Sequence, residues 1–168
     1  DHIDSAVYVE VDAVKKGELR PLMHELCYMY VRRLCKNHCP DWLQEGLALW
    51  VSRPSILRDT PLRTLEHKEL DFKQKFPRDK RYLRWDKTTP RMRRKLLVAF
   101  LIVKYLLDKY GWPSMRKILA AYADDTTRWD RVVWNVLHLD EQSFQRRWDI
   151  YTMSNYYFSP ASIPSAPK

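Results

Sequence analysis

Apolar and polar positions change period along this chain, and each change marks an element. From Ala6 to Val11 they alternate, with Val7, Val9 and Val11 on one face and Tyr8 and Glu10 on the other. That two-residue period predicts a half-buried strand. Lys15, Lys16 and Gly17 predict a turn. From Glu18 to about Cys35 the period lengthens: Leu19, Leu22, Met23, Leu26, Met29, Tyr30 and Leu34 recur at helical spacing and predict an amphipathic helix. Asn37 to Pro40 breaks it. Asp41 is placed to cap a second helix from Trp42 to about Val51.

Ser52 to Thr89 is the least regular stretch, with Pro54, Pro61, Pro77 and much of the charge; a short helix around Pro61 to Phe72 is the most it predicts. Thr89 followed by Pro90 then starts a strong helix, because proline suits the first helical position. This helix should run to Tyr110 and stop at Gly111. It is apolar nearly all round from Leu96 to Val103, which predicts the central core helix. Pro113 opens a further helix to about Ala123. Thr126 or Thr127 caps another that ends near Leu137, and Asp140 caps the last, carrying Phe144, Trp148 and Tyr151. The fold class is therefore mostly α, an α+β fragment of one strand and six or so helices. A lone strand cannot stand by itself, so its partners are expected upstream or in another chain. Residues 1–158 read as one domain and 159–168, with three prolines, as a tail or linker.

Composition narrows the class. Three glycines against ten tyrosines and seven tryptophans suit packed helices better than a small barrel. The tryptophans read mostly as core anchors, with Trp85, among arginines, as the exposed exception. No apolar run approaches the ~20 residues of a membrane span; the longest, Leu96 to Leu107, is interrupted by Lys104. Asp1 is not an initiator methionine and no leader pattern follows, which predicts a fragment or processed product. The three cysteines, Cys27, Cys35 and Cys39, allow one bridge, three free thiols or metal ligation, and leave the compartment open. Cys35, His38 and Cys39 have metal-like spacing, but a structural zinc needs a fourth ligand. The net charge of +9 is concentrated in Arg78–Arg84 and Arg91–Lys95. It predicts a basic surface around Arg81, Arg84, Arg91, Arg93 and Arg94, for an acidic protein or, with no motif behind it, nucleic acid.

Chemistry concentrates in the first two helices. His24-Glu25-Leu26-Cys27-Tyr28 sets residues 24 and 28 four apart, on one helix face. Zinc peptidases use that spacing to present two imidazoles to one metal, with the glutamate as general base. Glu45 lies at the start of the next helix, in Pro40-Asp41-Trp42-Leu43-Gln44-Glu45-Gly46-Leu47-Ala48, and Gly46 beside it lets the two helices approach closely. The plainer reading makes His24, Tyr28, Glu25 and Glu45 core residues satisfied by one another.

These two segments resemble the peptidase MA-like family of gluzincins, whose pattern is a histidine-glutamate helix followed by a proline, tryptophan, leucine, glutamate, glycine, leucine, alanine motif. Tyr105-Leu106-Leu107-Asp108-Lys109-Tyr110-Gly111 looks like the family's later helix and Leu139 to Trp148 like its closing one, so the likeness covers most of residues 6 to 152. The resemblance implies a gluzincin-like zincin fold in which His24 and Glu45 are metal ligands and Glu25 is the general base. The chain departs from the pattern at Tyr28, where the family has its second histidine. It also departs at Leu96 and Ala99, where the family carries a tyrosine and a serine. A phenol binds zinc well only after losing a proton of pKa about 10. Neither Leu96 nor Ala99 can donate a side-chain hydrogen bond, and one missing oxyanion donor costs ~10² to 10³ in rate.

The expectation is an inactive, pseudo-metallopeptidase domain without a cofactor, serving as a structural or protein-interaction module in a larger assembly. The alternatives are an active zinc peptidase with an altered site, drawing on Tyr28 or Cys27, and a basic binding module.

Overall fold

The structure is a computed structural model and describes residues 19–52, 89–124 and 126–157. The expected strand Ala6–Val11, the short helix near Pro61–Phe72, Trp85 and the 159–168 tail lie outside these residues. The described residues are mostly helical and contain no strand. In order, α1 is Arg20–Leu34, α2 Asp41–Ser52, α3 Pro90–Ala121, α4 Trp129–Val132 and α5 Glu141–Thr152. Wider π-helical turns continue α4 over Val133–Leu137 and α5 over Met153–Tyr157.

The local signals act mostly where the sequence places them. Thr89 Oγ1 accepts from the Met92 amide at 3.3 Å and starts α3. Gly111, at φ 69°, breaks α3 in the left-handed region that only glycine enters cheaply. Pro113 then restarts it. Asp140 caps α5, its Oδ1 accepting from the Ser143 amide at 2.6 Å. Two expectations fail. Asp41 is not the cap of α2 but its first residue, and the Pro40 carbonyl opens the ladder by accepting from Leu43 and Gln44. Neither Thr126 nor Thr127 caps α4: Thr126 turns back onto Asp124 Oδ1 at 3.0 and 2.9 Å, leaving Arg128 at the cap.

As expected, α3 is the central core helix, packed against α1, α2, α5 and the turn after α4, while α2 is the most completely enclosed. Every residue from Trp42 to Leu49 is buried, because α2 is packed by α1 on one side and α3 on the other. The α2–α3 contact depends on Gly46. A Cβ there would lie 2.6 Å from Val103 Cγ2 and closer still to the Ala99 carbonyl oxygen. The glycine thus serves the approach of α2 to α3, not that of α1 expected from the sequence. Edge-to-face rings extend the core: Trp42 on Trp129 at 5.1 Å, Trp129 on Phe144 at 5.2 Å, and Phe144 on Tyr105 at 5.5 Å. They couple α2, α4, α5 and α3, each pair adding about 1 kcal/mol beyond its buried area. Of the other tryptophans, Trp112 and Trp134 are exposed, contrary to the anchor reading.

The periodicity of α1 also misleads. Leu19, Met23, Leu26, Tyr30 and Leu34 face outward, and the residues buried against α2 are His24 and Val31. An apolar stripe does not say which surface, if any, lies against it.

A polar link joins α5 to α3. Tyr151 Oη donates to Asp108 Oδ2 at 2.5 Å, and Lys104 Nζ donates to the same oxygen at 2.6 Å. Burial works to raise the Asp108 carboxyl, but these two hydrogen bonds outweigh it and hold the group below its ordinary value.

Two outcomes are expected. Gly46→Ala should lower the denaturant midpoint by the equivalent of about 3 kcal/mol, because backbone is the obstacle and cannot swing aside. Asp108→Asn should cost about 1 kcal/mol at neutral pH, kept low by the 40% exposure of the carboxylate. The depressed pKa stabilises the fold above the unfolded value of about 3.9, and this is lost as pH falls through the folded value. The variant should therefore show a flatter acid limb in thermal melts recorded against pH.

Candidate functional site

α1 and α2 bring the first and third residues of the expected constellation together. His24 is 3% exposed and Glu45 1% exposed, with His24 Nε2 3.4 Å from Glu45 Oε2. His24 is positioned by its place on the inner face of α1, two turns before Val31. Glu45 is positioned by the enclosure of α2, with Gly46 letting the helix sit hard against α3. At that distance the imidazole N–H does not point at the carboxylate, and His24 Nε2 makes no hydrogen bond. A nitrogen buried this deeply costs stability when it lacks a partner, so the two groups form a tight but imperfectly satisfied contact.

Tyr28 follows one turn after His24 on the same face and is half-buried. Its phenol is pushed up to about 12, first by burial and then by Glu45, Asp41 and Glu25; Arg32 works the other way. The Arg32 guanidinium stands 6.0 Å from the centre of the Tyr28 ring. The influence of Glu45 shows that Tyr28 belongs to the same locality as the His24–Glu45 contact. The surroundings favour a neutral phenol, the form that binds metal poorly. Glu25 is half-buried beside His24.

The other candidates separate from this cluster. Among the described residues no three His, Cys, Asp or Glu side chains are grouped so as to hold a metal ion. Cys27 therefore does not complete a set with His24 and Glu45, and Cys35, His38 and Cys39 do not form one either; His38 is exposed. Of the expected basic surface, Arg91 and Arg94 are exposed and Arg93 half-buried at the start of α3, while Arg81 and Arg84 lie outside the described residues. Cations at a helix N-terminus oppose its dipole, so this placement does nothing for α3 itself. Leu96 and Ala99 are buried, at 3% and 0% exposure. Ala99 presents its backbone to Gly46.

Sequence reasoning missed the groups that set the ionisation of Tyr28. Arg32, one turn beyond Tyr28, was legible as a neighbour at helical spacing. Asp41 was not, because its influence depends on how α2 folds back on α1. No known family profile matches the chain, and no curated protein or solved structure is significantly similar to it.

His24→Ala should be costly. It removes one side of a buried contact and leaves the Glu45 carboxylate facing a cavity. A loss of about 3 kcal/mol in chemical denaturation is expected, against well under 1 kcal/mol for the exposed His38→Ala.

Proposed function

We propose that this chain is a non-catalytic domain built on a gluzincin-type helical frame, serving as a structural or interaction module. The observation that carries this reading is the state of Tyr28. A peptidase centre of this kind needs a third metal donor beside His24 and Glu45. The residue in place is a phenol that burial and three carboxylates hold protonated. Leu96 and Ala99 speak the same way, since buried apolar groups cannot stabilise an oxyanion. The residues present thus do not fit a resident zinc. Glu25 keeps the identity of a general base without an activated water to serve.

The interaction side of the reading draws on the outer face of α1. Leu26 is 50% and Tyr30 64% exposed, in a stripe that continues through Leu19, Met23 and Leu34. Arg20, Arg32 and Arg33 stand exposed on the same helix. An apolar stripe with basic neighbours, on a chain of net charge +9, suits a protein partner with acidic flanks. No described helix is long and apolar enough to cross a membrane.

One observation favours a zinc-binding second reading. Two donors on a tetrahedral zinc, each roughly 2.0–2.1 Å from the ion, stand about 3.4 Å apart. His24 Nε2 and Glu45 Oε2 have that separation.

Metal analysis on chelator-rinsed protein decides between the two. The expected result is zinc far below one per chain, and no peptidase activity above that of Glu25→Gln. Near-stoichiometric zinc that disappears in His24→Ala would overturn the proposal. The native particle should also exceed the mass of one chain, and Leu26→Glu with Tyr30→Glu should return it to that of the isolated protein with unchanged circular dichroism.

A further inference from the structure

Cys35 and Cys39 belong to the core, yet the site described above uses neither. Cys35 is the C-cap residue of α1, and Cys39 stands two residues before α2 begins at Asp41. Lys36 and Asn37 between them take φ values of 48° and 69°, both left-handed and neither glycine. The chain doubles back there: the Asn37 amide donates to the Arg32 carbonyl and the His38 amide to the Cys35 carbonyl, each at 2.8 Å. The reversal keeps both side chains in one buried cluster, where each thiol acts on the ionisation of the other. Both are buried, at 0% and 5% exposure, and the Cys39 carbonyl is itself tied to α2 by the buried Gln44 amide. Packing accounts for one small apolar side chain at either position. It does not require two thiols in one buried cluster on either side of a turn of two left-handed non-glycine residues, each of which costs about 1 kcal/mol or more.

We propose that Cys35 and Cys39 form an intrachain disulfide in an oxidising thiol–disulfide pool, fixing the turn between α1 and α2, with Cys27 outside the bond. Cys27 lies eight residues before Cys35 on α1, about 12 Å along the helix, too far to bridge to it. The oxidant is a small-molecule disulfide such as glutathione disulfide. The Cys35 thiolate attacks one of its sulfurs and expels the first thiolate. Cys39, losing its proton to solvent, then attacks the Cys35 sulfur of the mixed disulfide and expels the second. Two protein S–H bonds and the S–S bond of the oxidant give one protein S–S bond and two small thiols, and two electrons pass to the oxidant. The order of attack follows the local chemistry. Cys39 lowers the Cys35 thiol, whereas burial, and then Cys35, raise the Cys39 thiol. Because both sulfurs are enclosed, exchange proceeds through opening of the turn and is slower than at an exposed cysteine.

The bond links the end of α1 to the approach to α2, the two helices that carry His24 and Glu45. It rests on the turn alone and is independent of how that contact functions. The test equilibrates the full chain in graded mixtures of reduced and oxidised glutathione. Acid quenching, unfolding and alkylation are followed by intact mass and peptide mapping. The expected product in oxidising mixtures carries one alkylated cysteine, Cys27, and a peptide linking Cys35 to Cys39. Cys27→Ser should still form the bond and Cys35→Ser should not. Three alkylated cysteines in the most oxidising mixture, glutathione adducts without an internal bond, or a bond that includes Cys27 would each overturn the proposal.

Discussion

The closeness of α2 to α3 is the constraint from which the other features follow. Gly46 meets the Ala99 backbone and Val103 with no room for a methyl group. The interval between the helices is therefore set by backbone, which cannot repack. Everything from Trp42 to Leu49 becomes buried as a result, and a carboxylate is carried into the interior at Glu45. Once there it needs a partner, and α1 supplies His24 at 3.4 Å. A buried charged or polar pair adds little net stability compared with apolar residues of the same volume, but breaking it is expensive. The persistence of such a pair is by itself weak support for activity.

Tyr28 shows why a motif has to be judged by its surroundings. As a residue type it has an oxygen that binds metals as phenolate. In place, its burial and the carboxylates of Glu45, Asp41 and Glu25 all act against that ionisation. The same carboxylates that would attract a cation to the locality keep this donor neutral until the cation is present. A zinc would have to displace the proton itself, at an energetic cost that an imidazole at the same position would not impose.

The aromatic chain from Trp42 through Trp129 and Phe144 to Tyr105 has a different role. It connects α2 to the C-terminal helices without any polar requirement, and the Asp108 link to Tyr151 and Lys104 adds direction where the rings give only area. Among the described residues this packing leaves the outer apolar face of α1 exposed. Its apolar period is as regular as that of a buried helix, with Arg20, Arg32 and Arg33 also on the surface.

The sequence by itself determined the helical class, the break at Gly111, the caps at Thr89 and Asp140, and the pairing of His24 with Glu45. These depend on local backbone preference or on a motif confined to two consecutive helices. Gly46 was assigned to the approach of the nearest helix in sequence, α1, whereas it serves the contact with α3. Periodicity reports that a face is apolar, and carries no information about which surface lies against it. Only the tertiary structure decided that α2 is the most completely enclosed helix, that Gly46 faces Ala99, that Asp41 acts on Tyr28 and that Cys35 and Cys39 lie in one buried cluster. Each of those depends on how chain segments fold back on one another, a matter of packing across space that no local pattern encodes.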